Sequence, residues 1–297
     1  MAIELRWLAS IAASGLHAAA AMLQGATLVD PKMSAALAEP ARGLRGDLRE
    51  LGVGLDLIFE HLIPLSARFD SPTQLAEVTV AKLFGSQKPP AAAAILARRL
   101  VALDTAFQAA FPRALQELEL RSEPLMGQWE ARGPGLIATV TRLTEAELIV
   151  GSADVILLQP ALGGGGTAHW LYNSLSIEAV LANPIAELPE VVRLGWLVSS
   201  LNLDLPRFQG DLPRDRLVRL GPLAMLPPVL AAAEEVELAR NNLETLTLAL
   251  SAWRAPAVDP KKLIEWWETY QSARPPWTVA LGALDRMISG KAPSSEP

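Results

Sequence analysis

From Leu44 the apolar residues fall at Leu44, Leu48, Leu51, Leu55, Ile58, Leu62 and Leu65, in alternating steps of four and three. That spacing keeps one stripe of an α-helix apolar, and little else in a folded chain requires it. A second seam follows Pro89-Pro90, through Ala93, Leu96, Leu100, Leu103, Phe107 and Ala110. Gly46, Gly52 and Gly54 interrupt the first seam, each weakening a helix by about 1 kcal/mol relative to Ala. An isolated coiled coil tolerates that poorly, whereas a bundle helix can use the missing side chains for close approach. The two seams therefore predict antiparallel bundle helices, joined through a shorter helix near Leu75 to Phe84. Asp30-Pro31, Ser71-Pro72 and Asp259-Pro260 each read as an N-cap with proline at the first helical position.

The N-terminal stretch has no charged residue between Arg6 and Asp30, which is long enough for the roughly 20 residues of a membrane span. Ser10, Ser14, Gly15, His17, Gln24 and Thr27 dilute it. Glu4 precedes Arg6 and no compact Leu-rich core follows, so a signal peptide is also a poor fit. The favoured reading is an Ala-rich packed helix with Leu5, Leu8, Ala12, Leu16, Ala19 and Leu23 on one face, in a cytoplasmic protein. A signal peptide or an N-terminal anchor at residues 7–29 remains an alternative.

The texture changes in the middle of the chain. Leu118 and Leu120 alternate with charged residues like a short strand, and Arg132-Gly-Pro-Gly135 reads as a turn opening a helix over Leu136 to Leu143. Asp154 to Gln159 is a buried-strand pattern. After four glycines, Leu171 to Leu181 alternates again, predicting two strands joined by a Gly-rich loop. Glu190 to Leu201 is apolar almost all round, with Arg193 its only interior charge, and so predicts a buried helix. From Pro213 the helical pattern returns, with Pro275-Pro276 separating two terminal helices.

The expected fold is mostly α with a small central β element (α+β), a helical bundle around a short hairpin or small sheet. The segments are an N-terminal helical bundle (1–115), a central α+β segment (116–212), a C-terminal helical segment packed with the rest as one unit (213–290) and a flexible tail (291–297).

Chemistry is limited by what is missing. The chain has no cysteine and only three histidines, His17, His61 and His169. Thiolate metal sites, iron–sulfur ligation and a cysteine nucleophile are excluded. No HExxH occurs, and the buried helix PEVVRLGWLVSSLN carries no histidine or glutamate where a zinc protease helix needs them. No GxSxG, P-loop or dinucleotide fingerprint is present. No cofactor and no metal are expected. A net charge of −6 without a long basic run argues against nucleic acid as a partner.

Four candidate groups remain. Gly163, Gly164, Gly165 and Gly166 could present backbone N–H groups to an anion, although such a run is more often a hairpin loop. His169 and Glu178 are the best local candidates for general acid or base chemistry, with Tyr172, Ser174 and Ser176 expected on the Glu178 face. Against this stands a solvated strand face with an incidental histidine. Arg193 needs a partner, with Glu190 at i−3 or Glu178 from the strand as the candidates, and anion binding is its other reading. Trp266, Trp267 and Trp277 could form a partner-binding surface or a core covered on two sides. His61 reads as a bundle histidine beside the seam.

The expected function is a non-catalytic helical interaction or scaffold protein, with protein partners or self-association. The alternatives are a small hydrolase or lyase-type enzyme with its site at the Gly163–Gly166 loop, and a membrane-associated accessory protein anchored by residues 7–29.

Overall fold

A computed structural model describes residues 3–87 and 89–289; the expected tail at 291–297 lies outside them. In chain order the elements are β1 (Glu4–Ala9), α1 (Ile11–Leu23), α2 (Pro31–Glu50), α3 (Leu55–Ser66), α4 (Pro72–Phe84), α5 (Ala92–Ala110) and α6 (Ala114–Leu143). Then come β2 (Ser152–Leu158), β3 (Gly166–His169), β4 (Ser174–Glu178), α7 (Glu190–Ser199) and α8 (Pro206–Gln209). The chain ends with α9 (Arg214–Glu235), α10 (Leu243–Ala252), α11 (Pro260–Ala273) and α12 (Trp277–Ser289). The protein is mostly α with one small mixed sheet, as its apolar periodicity predicts.

The chain divides into two compact units, each assembled from separate segments. One comprises Arg6–Glu123 and Asp154–Leu181; the other comprises Met1–Leu5, Pro124–Ala153 and Ala182–Pro297.

In the first unit α1 to α5 enclose a core that includes Leu16, Leu37, Leu44, Leu62, Leu96 and Phe107, together with Ile156 and Leu158 of β2. The second seam is one helix, α5, with Leu96, Leu100, Leu103 and Phe107 buried. The first seam is two. Leu44 and Leu48 are buried in α2, Ile58, Leu62 and Leu65 in α3, and the chain turns between them at Gly52, whose φ is +69°. An unbroken heptad thus continues across a break, because both helices turn the same kind of face to the same core.

The N-terminus also departs from a single helix. Residues Glu4–Ala9 form β1, and Ser10 then caps α1 by accepting from the Ala13 N–H at 3.1 Å. Asp30, Ser71 and Asp259 cap α2, α4 and α11 as their spacing predicts.

The sheet order is β1-β2-β4-β3. β2 and β4 are parallel, with Ile156 opposite Ser176 and Leu158 opposite Glu178. β3 forms an antiparallel hairpin with β4, placing His169 opposite Ser174. The glycine run therefore leads from β2 into β3, the outer strand, and is not the hairpin turn itself. That turn is Trp170–Asn173, with Asn173 in the left-handed region at φ 46°.

The expected strand at Leu118–Leu120 and turn at Arg132–Gly135 are both inside α6. Leu118, Leu125, Trp129, Leu136 and Val140 are buried in steps of seven and four, a helical repeat spread too thinly to outweigh two prolines and three glycines in a local reading. At Gly133 a Cβ would come within 2.4 Å of the Trp129 ring, so this glycine makes room for the indole and does not end the helix.

In the second unit every residue of α7 is buried, and α7 packs on α9. Among the described residues α9 alone is long and apolar enough to cross a membrane, and 78% of its apolar window is buried within the protein. Trp266 and Trp277 meet edge to face with centroids 5.8 Å apart, and Trp267 stacks on Tyr270 at 5.3 Å.

Candidate functional site: a buried polar sheet face

Alternation along β4 puts Ser174, Ser176 and Glu178 on one face, and the register adds Asp154 from β2 and His169 from β3. This face is buried, not solvated: Ser174, Ser176, His169 and Glu178 are each at most 3% exposed. Polar groups removed from water need partners, and here they come from loop amides, two arginines and the chain's three histidines.

Glu178 is the centre. Its Oε1 accepts from His17 Nε2 at 2.8 Å, from the Ala161 N–H at 2.9 Å and from the Leu162 N–H at 2.7 Å. Its Oε2 accepts from the Gly164 N–H at 2.8 Å and the Gly165 N–H at 3.0 Å. A carboxylate only accepts, so His17 carries the proton on Nε2. Burial pushes the Glu178 carboxyl up, but the His17 hydrogen bond and the loop amides together more than reverse this. They hold it well below the usual carboxylate range.

Local sequence explains the cradle. Gly163 at φ +75° and Gly164 at φ +143° adopt conformations that side chains resist, which turns successive amides inward. At Gly165 a Cβ would lie 2.9 Å from Glu178 Oε1 and 3.2 Å from His17 Nε2. Bonds that do not involve the carboxylate hold the same loop. Val29 N–H donates to Ala161 O at 2.9 Å, and Glu178 N–H to Gly165 O at 3.0 Å. On α1, Ser14 lies three residues before His17, on the same face. Its hydroxyl donates to Ser10 O and accepts from the Gln159 N–H at 3.0 Å, tying the helix to the start of the loop.

The other two histidines complete the face. His169 Nε2 lies 3.0 Å from Ser176 Oγ, and burial, with His17 nearby adding to it, lowers the His169 pKa to about 3. The ring is therefore neutral at physiological pH. His61 Nδ1 shares a hydrogen bond with the Tyr172 hydroxyl, and burial pushes that hydroxyl up to about 12. Near the Tyr172 end, Asp154 accepts from Arg6 at 2.7 Å and from Arg68 at 2.8 Å. Burial raises the Asp154 carboxyl, but the two guanidinium groups outweigh it and keep it ionised.

Thus, within the glycine run, the Gly164 and Gly165 amides donate to Glu178 itself. His169 is on the same sheet face, bonded to Ser176. Arg193 is 1% exposed in α7, and its guanidinium meets Glu190, the i−3 candidate. Trp266, Trp267 and Trp277 are 2%, 4% and 1% exposed, so they form the wide-faced core and not a surface. His17 joins this face from α1, where local sequence does not single it out. Its only sequence signal is the Ser14–His17 pair in an otherwise apolar helix. Among the described residues no group of three or more histidines and carboxylates is placed to hold a metal ion. Compared with known protein families, curated proteins and solved structures, the chain matches none.

Proposed function

We propose that this chain is a non-catalytic helical interaction or scaffold protein, whose buried polar sheet face serves the fold and not a reaction. The observation that carries the reading is the state of Glu178. Its two oxygens already receive five donors, and the loop amides that could stabilise a substrate oxyanion are spent on it. A general base needs a free lone pair within reach of a substrate proton, and a catalytic serine needs access. Ser176 and His169 are both buried.

A protein partner or a second copy is the proposed ligand, met by helix surfaces that carry exposed apolar residues such as Val101 on α5 and Leu120 on α6. The buried α1, with Ala13 to Ala21 inside the bundle, supports the reading of this stretch as a packed helix.

Two measurements test the proposal. Purified protein incubated with chromogenic ester, peptide and phosphate substrates should give no turnover above buffer. Turnover that disappears in a folded Ser176→Ala or His169→Gln variant overturns the non-catalytic reading in favour of a hydrolase. Light scattering across a concentration series should show self-association, weakened by Val101→Glu or Leu120→Glu. If the native protein is monodisperse and neither substitution changes any isolated complex, the interaction reading fails.

A further inference from the structure

We propose that the segment Ala161–Gly165 together with His17 is a carboxylate-binding site that the chain fills with its own Glu178. With that side chain cut back, the site takes a free small monocarboxylate. The inference deepens the structural role given to Glu178 above and rests on it.

The argument is that the donors are placed independently of what they bind. His17 is fixed on α1, which Ser10 caps and Ser14 ties to Gln159. The loop amides are fixed by the Val29–Ala161 and Glu178–Gly165 backbone bonds and by glycine conformations at 163 and 164. None of these restraints uses the carboxylate oxygens. Donors held by other bonds are preorganised, and preorganised donors bind a free ligand without first being ordered.

The geometry also selects the ligand class. Ala161, Leu162 and His17 address one oxygen, and Gly164 and Gly165 address the other. Two oxygens on one carbon satisfy that set. A phosphate or sulfate would bring further oxygens into a site where Glu178 is 0% exposed and all five donors address two oxygens. Acetate has the heavy atoms that Glu178→Ala removes, so it fits the vacated volume.

The test uses full-length Glu178→Ala, purified without carboxylate buffers, and thermal unfolding in sodium acetate against sodium chloride of equal ionic strength. Acetate should raise Tm with the logarithm of its concentration above Kd, by about 3 °C at a tenfold excess. Wild type, and Glu178→Gln, whose side chain still fills the cradle, should show no such rise. Benzoate should be inert because it is too large. An acetate response equal to that of chloride, or the same in Glu178→Gln, overturns the proposal.

If Glu178→Ala does not fold in chloride, it is diluted from denaturant into acetate. Recovery only in acetate supports the site, and no recovery in either salt overturns it. Loss of rescue without turnover removes the binding site and leaves the non-catalytic reading standing. Rescue alongside His169-dependent turnover does the reverse.

Discussion

Two buried carboxylates, Glu178 and Glu190, solve the same problem in opposite ways. Glu190 meets Arg193 one helical turn along α7, so this contact is made within a single element. Glu178 meets a histidine 161 residues away and four amides of a loop in front of its own strand. The first arrangement neutralises a charge locally. The second makes α1, the loop and β4 depend on one another. A local pair can be replaced by apolar groups of similar volume, whereas a carboxylate that satisfies backbone amides cannot, because the amides stay behind.

The largest expected effect follows from that difference. Glu178→Leu should cost about 3–5 kcal/mol of unfolding free energy, read from urea denaturation, since it leaves buried donors without an acceptor. Adding His17→Leu should not restore the loss. Recovery to wild-type stability in that double variant would show that the amides find other partners and that the two pairs are alike after all.

Acid should break the same region first. The His169 pKa lies below its unfolded value of 6.5, at about 3 in the folded protein. Below pH 6.5 the unfolded chain therefore takes up a proton that the folded one refuses. Stability should fall by up to about 1.4 kcal/mol per pH unit from this group alone. Glu178 has its folded pKa depressed below 4.5, so its contribution is present above that value and is lost as pH falls further. Urea midpoints at pH 7, 6, 5 and 4 measure both effects. His169→Gln should flatten the slope between pH 6.5 and 4.5, and an unchanged slope contradicts the assignment.

Gly165→Ala should cost about 1–3 kcal/mol, because the new methyl group would crowd Glu178 and His17, neither of which has free space. Gly46→Ala serves as the control, since a Cβ there meets nothing and the residue is in mid-helix. It should stabilise by up to about 1 kcal/mol. The smallest change is expected in the Glu190→Leu, Arg193→Met double variant, within about 1 kcal/mol of wild type although both partners are buried. A large loss there would mean that Arg193 does more than balance Glu190.

The helical parts of the fold were legible wherever a cap and a seam coincided, as at Asp30-Pro31, Ser71-Pro72 and α5. They were misread where the period was right but the chain turned, at Gly52, and where prolines sit inside a helix, in α6. In both places packing against distant residues outweighed the local preference. For the site, the glycine loop, His169 and Glu178 could be singled out from residue type alone. What they face could not, because His17 joins them from a helix whose sequence reads as plain apolar packing.

Sequence by itself determined that this is a helix-dominated chain with one small sheet, no thiol chemistry and three histidines. Those properties follow from local periodicity and composition, which act over a few residues. Only the tertiary structure decided that each histidine bonds a polar group on β4 or the turn before it, and that the glycine amides are taken by the chain's own carboxylate. The physical reason is that burial favours pairing of polar groups, and which partner a group finds depends on where separate segments of the chain meet.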